Sequence, residues 1–264
     1  MKWMATHATK AKVPASSPRI HEAPERRETR LSSREFAQLQ RYVDAITDRL
    51  AELHLSVVIE TDFNALYRFI GSRPGAIVNT TFNPFESDLH RDSYWLRVIN
   101  DEGKTVACHA QRIFVVDDFC DLVLSGRLFS NSWAPLDTTR TELVRPKSLL
   151  SGRIAYAGSL WVDAEERGKG LAVWLPYLSR LACLRNYEPD FFVCCVFGKI
   201  ALSGVALKYY GYTHVEPLLR GYSPVTRRDD TMYICYMPWR DAVSKIRLLS
   251  VHPQYPIDPD QTAA

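Results

Sequence analysis

The sequence of 264 residues lacks several features that would fix its class at once. No apolar run approaches the roughly 20 residues of a membrane-spanning helix, so no membrane partner is expected. Residues 1–31 contain no apolar h-region, which argues against a secretory leader. Their basic, acid-poor composition, with Glu22 as the first acid, reads as a disordered tail and only weakly as an organellar transit peptide. A strong charge imbalance is absent too. A net charge of +3 without a clustered basic face gives no warrant for a nucleic-acid partner.

The six cysteines, Cys108, Cys120, Cys183, Cys194, Cys195 and Cys235, show neither zinc-type nor C-x-x-C spacing. They read as small buried hydrophobes in a reducing compartment, and a cytoplasmic location is expected. Asp88, His90 and Asp92, spaced by two, sit in no fuller ligand signature, so no metal is expected.

What is present begins with a helix over 33–53. Ser32 and Glu35 have capping-box spacing, and Phe36, Leu39, Val43, Ile46, Leu50 and Leu53 form one apolar stripe. That stripe packs on its own domain or serves as a partner face, including a homodimer face. Strands are predicted over 55–61, 94–99 and 105–116, the last two as a hairpin around the turn-rich 100–104. A short helix is expected over 63–70. Residues 117–150 read as an insertion with a short helix near 120–128.

Residues 155–175 carry the chemistry. An apolar strand from Tyr156 to Val162 runs into an acidic, glycine-bearing turn, and a helix follows with Leu171, Trp174, Leu175, Leu178 and Leu181 at helical spacing. Such a turn leaves backbone N–H groups unpaired at the positive end of a helix, which suits a pyrophosphate. Gly168 and Gly170 let an anion approach the backbone. Neither a Walker A loop nor a G-x-G-x-x-G fingerprint is present.

Arg167-Gly168-Lys169-Gly170-Leu171-Ala172 fits [RQ]-x-x-G-x-[GA] and follows a strand ending Leu160-Trp161-Val162-Asp163. Downstream come the apolar strand Phe191–Val196, a helix candidate over 199–210 and Tyr210-Gly211-Tyr212 before two closing strands, 212–222 and 230–237. This succession resembles the acetyl-CoA-binding motifs of the GNAT superfamily of N-acetyltransferases over about 55–240.

The resemblance implies an α/β (α+β) fold with a mixed, mostly antiparallel sheet of about six or seven strands, flanked by helices and splayed at two central parallel strands. It implies one domain over 32–240, with 1–31 and 241–264 as tails. Acetyl-CoA, or another acyl-CoA, is the implied co-substrate. Backbone groups of Leu160, Trp161 and Val162 would hold the pantetheine arm, and amides of Arg167, Gly168, Lys169, Gly170, Leu171 and Ala172 the pyrophosphate. The acceptor would be a small-molecule or peptide amine attacking directly, within a slot to which Phe82, Phe85, Tyr94 and Trp133 are candidate linings.

Two positions depart from the family pattern. Leu207 stands where a general-acid Tyr is usual, and Ile200 where an Asn is frequent. Tyr210, on the same helix face as Leu207, is the substitute acid, and His109 the candidate general base, with Glu60, Tyr156 or a bound water as alternatives. The resemblance therefore leaves two further readings: a catalytically idle CoA-binding module, and a relative using another acyl donor, which the intact pyrophosphate turn disfavours.

Overall fold

The computed structural model describes residues 31–76, 79–89, 92–129, 141–223 and 227–251. Helix α1 (Ser33–Glu52) starts where the capping pattern places it. The Glu35 amide donates to Ser32 Oγ at 3.3 Å, and the Ser32 amide donates to Glu35 Oε2 at 2.8 Å. Two otherwise orphaned donors are satisfied in this way. Leu39, Tyr42, Ile46 and Leu50 are buried, so the apolar stripe packs on this chain's own core. Ser32→Ala should lower unfolding free energy by about 1 kcal/mol in urea titrations. An unchanged midpoint would show that the cap adds nothing.

The elements that follow are β1 (Leu55–Glu60), α2 (Phe63–Gly71), β2 (Ser93–Asn100), β3 (Thr105–Val116), α3 (Phe119–Leu124), β4 (Thr141–Leu143), β5 (Gly152–Val162), α4 (Leu171–Asn186), β6 (Phe191–Phe197), α5 (Gly198–Leu202), α6 (Val205–Lys208), β7 (His214–Ser223), β8 (Arg228–Pro238) and α7 (Trp239–Val251). One sheet has the order β1-β2-β3-β5-β6-β8-β7-β4. Its recorded pairs are antiparallel except β5 with β6, which run parallel at its centre. This is the mixed, mostly antiparallel, helix-flanked architecture expected from the sequence.

The two-residue period of the strands sorts the core into two layers. Tyr94, Leu96, Ala155, Ala157, Phe192 and Cys194 face α1 and α4. Trp95, Ile154, Tyr156, Val193, Ile234 and Tyr236 face the opposite way, with Phe63 and Leu66 of α2 and Phe119 and Leu122 of α3.

Three expectations need correction. The sheet has eight strands, not six or seven. The additional one, β4, is a three-residue edge strand pairing with β7 from Thr141↔Gly221 to Leu143↔Leu219, inside the stretch read as an insertion. The helix expected over 199–210 is two short helices, because Ser203-Gly204 interrupts it with Gly204 at φ +75°. The domain boundary at 240 falls inside α7, whose Ala242 and Val243 are buried in the α4-side layer. The expected tail over 1–31 lies, except for Leu31, outside the described residues. No helix among the described residues is long and apolar enough to cross a membrane.

Candidate functional site

The site begins where β5 and β6 separate. Their recorded parallel register runs from Ile154↔Phe191 to Ala157↔Cys194 and stops there. Both strands continue, β5 to Val162 and β6 to Phe197. The outer edge of β5 stays bonded to β3 as far as Val162↔Ala107, and that of β6 to β8 as far as Phe197↔Met232. The two inner edges therefore part as a fork whose backbone donors and acceptors have no ladder between them. Unpaired backbone groups of this kind demand partners.

A bulge marks β5 within the fork. The β3–β5 register shifts between Cys108 and Ala110, and Ser159 takes a left-handed φ of 50°. The Cys108 thiol donates to the Ser159 carbonyl at 3.2 Å. Gly158 precedes it with no room for a side chain, since a Cβ there would lie 2.7 Å from the Phe82 ring. A bulge re-aims the backbone of the residues after it, here Leu160, Trp161 and Val162.

β5 leads into the glycine turn through a 3-10 turn at Ala164–Glu166. Asp163, which opens that turn, accepts from Trp161 Nε1 at 3.0 Å and lies 3.3 Å from Arg73 Nε. Gly168 and Gly170 have φ +82° and +85°, and Gly170 is the N-cap of α4. Gly170 contributes no side-chain cap. Among the described residues, the N–H groups of Gly168, Lys169, Gly170, Leu171 and Ala172 meet no acceptor. A Cβ on Gly168 would point into open space, whereas one on Gly170 would lie 2.9 Å from the Trp174 ring. The result is a concave run of free donors at the positive end of a 16-residue helix, chemistry suited to a pyrophosphate. Lys169 is already held by Glu166 at 2.7 Å, which leaves the exposed Arg167 as the freer cation; its Nε donates to the Val162 carbonyl at 3.3 Å.

The expected cofactor-binding residues thus lie on one strand–turn–helix unit beside the fork. The catalytic candidates are less well placed. Tyr210 is half-buried after α6, and burial, together with Cys194 and Cys235, raises its phenol pKa above the ordinary value. Leu207 is exposed on α6. His109 sits on β3 at the bulge and is 4% exposed; burial, then the Arg180 charge, lowers its pKa to about 3. An imidazole held neutral so far down takes up protons poorly, which opposes the base role expected of it. Tyr156 is buried in the layer facing α2 and α3, with its phenol raised well above the usual value by burial. Glu60 ends β1 at the sheet edge, 3.7 Å from Arg97.

Of the aromatic candidates for the acceptor slot, Phe82 and Tyr94 are core residues, the latter donating to the Ser179 carbonyl at 2.7 Å. Phe85 is exposed, and Trp133 lies outside the described residues. His90 lies outside them as well, and among those described no group of three or more His, Cys, Asp or Glu is placed to hold a metal.

Sequence reasoning missed Arg180. It is 6% exposed inside the α4-side layer, donates to the Tyr210 carbonyl at 2.7 Å, and lies 5.3, 5.6 and 5.1 Å from the rings of Tyr177, Phe192 and Tyr212. An arginine on a helix reads as a solvent-facing residue, so no sequence signal marked it.

No protein-family model and no curated protein matches the chain. Solved structures do resemble it. NAA60 of Arabidopsis thaliana in complex with acetyl-CoA is 12% identical with a TM-score of 0.47, over 70% of this chain and 98% of that one. The spermidine/spermine N-acetyltransferase SpeG from Vibrio cholerae, in complex with manganese ions, is 9% identical with a TM-score of 0.45, over 73% and 96%. The CoA-dependent acyl-homoserine lactone synthase BjaI, with SAM and isopentyl-CoA, is 14% identical with a TM-score of 0.40, over 80% and 84%.

Proposed function

We propose that this chain is an acyl-CoA-dependent acyltransferase that moves an acetyl group from acetyl-CoA to a primary amine by direct attack. The observation that carries the reading is the fork between β5 and β6 opening beside a glycine turn with free amides from Gly168 to Ala172. Acetyl-CoA supplies an activated acyl group as a thioester. The amides of the turn hold its pyrophosphate, with Arg167 as added positive charge. Leu160, Trp161 and Val162 offer backbone groups to the pantetheine arm and to the oxygen that gains charge during attack. The acceptor is a small molecule or a peptide amine.

Proton transfer falls to other groups. Tyr210, whose phenol pKa burial raises above the ordinary value, is the donor we assign to the departing thiolate. His109 and Tyr156 are buried and Glu60 is at the sheet edge, so a water in the fork is the better base. Tyr210→Phe should lower kcat about 100-fold while leaving acetyl-CoA affinity unchanged. An unaltered kcat would remove Tyr210 from the reaction.

A second reading, an idle CoA-binding module, is favoured by Leu207 at the usual acid position and by the buried, neutral His109. A thiol-release assay over a panel of amines and peptides separates the two. Turnover with at least one amine supports the enzyme; acetyl-CoA binding with no release across the panel supports the module.

A further inference from the structure

The α4-side layer holds a pair of thiols that the proposed reaction does not use. Cys194 and Cys235 are direct cross-strand partners in the antiparallel β6–β8 register. Both belong to the layer facing α4, so their side chains leave the sheet on the same side. Directly opposed residues of this kind have Cβ atoms about 4.5–5.5 Å apart, within reach of a disulfide after a small adjustment. Cys194 is also the last residue of β6 paired with β5, so it stands at the base of the fork, whereas Cys235 is fully enclosed.

The surroundings act on the two sulfurs in opposite directions. Burial pushes the Cys194 thiol up, but hydrogen bonds with Cys235 and Tyr212 and the nearby Arg180 charge together bring it below the ordinary value. The hydrogen bond with Cys194, then burial, raises Cys235. Arg180 forms no ion pair among the described residues, so a Cys194 thiolate would supply its missing counter-charge. The other four cysteines are placed differently. Cys108, Cys120, Cys183 and Cys195 are all raised, in each case chiefly by burial.

We propose that Cys194 and Cys235 form a peroxide-oxidisable dithiol site, with Cys194 as the attacking sulfur and Cys235 as the resolving one. The Cys194 sulfur attacks one oxygen of a hydroperoxide such as hydrogen peroxide. The O–O bond breaks, and the departing hydroxide takes up a proton and leaves as water. Cys235 then attacks the resulting sulfenic acid; the S–O bond breaks, the S–S bond forms, and a second water carries off the remaining proton. Two thiols and one hydrogen peroxide give one disulfide and two waters. The product ties β6 to β8 at the base of the fork. This site stands apart from the acyltransferase reading and holds whether or not acetyl-CoA binds.

Reduced full-length protein treated with hydrogen peroxide and digested without reductant tests it by peptide mass mapping. The expected product is a linked Cys194–Cys235 peptide pair, formed before Cys195 is modified even though Cys195 is the more exposed of the adjacent cysteines. Cys235→Ala should leave a sulfenic acid on Cys194 that dimedone traps. The same treatment in denaturing urea should lose the selectivity. Oxidation of Cys195 or Cys120 ahead of an intact Cys194–Cys235 pair, or the same product mixture from folded and unfolded protein, would overturn the proposal.

Discussion

Replacing Arg167 with Ala and Gly170 with Glu together is expected to weaken acetyl-CoA binding at least 100-fold, about 2.7 kcal/mol. Four effects act in the same direction. Gly170 has φ +85°, a conformation that costs an L-residue about 1–2 kcal/mol, so a side chain distorts the turn. A Cβ at that position meets the Trp174 ring at 2.9 Å, which pushes the helix start away from its present course. The new carboxylate adds negative charge where the free amides of 168–172 would receive a pyrophosphate, and the Arg167 change removes the freer of the two cations. Gly168→Ala is the control. Its Cβ points into open space at φ +82°, so it carries backbone strain without the collision and should weaken binding far less. Isothermal titration checks both variants, with circular dichroism confirming that each is folded. Affinity in the double variant equal to that of the parent would refute the pyrophosphate site.

Trp174→Ala should cost about 3–5 kcal/mol of unfolding free energy, a large share of the 5–15 kcal/mol typical of a domain. Trp174 is 1% exposed and lies in the layer shared by α1, α4 and the sheet, immediately beneath Gly170. Its indole N–H has no partner among the described residues, so the loss is one of packing and cavity. Trp174→Phe, which keeps most of the volume, should lose less than half as much. Urea denaturation measures both. A loss below about 1 kcal/mol for the alanine variant would mean that the floor of the turn is not packed as described.

Local signals proved legible wherever they coincide with what the chain must do locally. The Ser32–Glu35 cap, the hairpin across 100–104 and the strand–turn–helix at 152–186 are set by spacing and by glycine, and the structure places each close to where these predict it. Non-local decisions were hidden. Strand β4 is three residues whose partner, β7, lies about eighty residues further on, so no periodicity announces it. The interruption at Ser203-Gly204 depends on Gly204 taking a left-handed conformation, which glycine permits but does not dictate. The part of helix α7 beyond residue 240 falls in the stretch read as a tail, because the buried environment of Ala242 and Val243 is supplied by the rest of the chain.

The candidate site divides along the same line. Backbone-built parts, the turn and the bulged strand, follow from glycine placement and apolar runs. Side-chain roles depend on which way a residue faces. His109 and Gln111 alternate on β3 with Cys108 and Ala110, and only the assembled sheet shows that the first two point into the α4-side layer, where His109 loses its charge. Arg180 and Cys194 are unremarkable in sequence, and Arg180 acts on Cys194 only because both lie in the α4-side layer of the folded chain.

Isothermal titration of the full-length protein with acetyl-CoA tests the central claim most directly. A single binding event with a dissociation constant of about 100 µM or tighter, lost in the Arg167→Ala, Gly170→Glu variant, is the predicted result. The absence of any heat of binding with acetyl-CoA and with CoA at millimolar concentration, from protein shown to be folded, would contradict it.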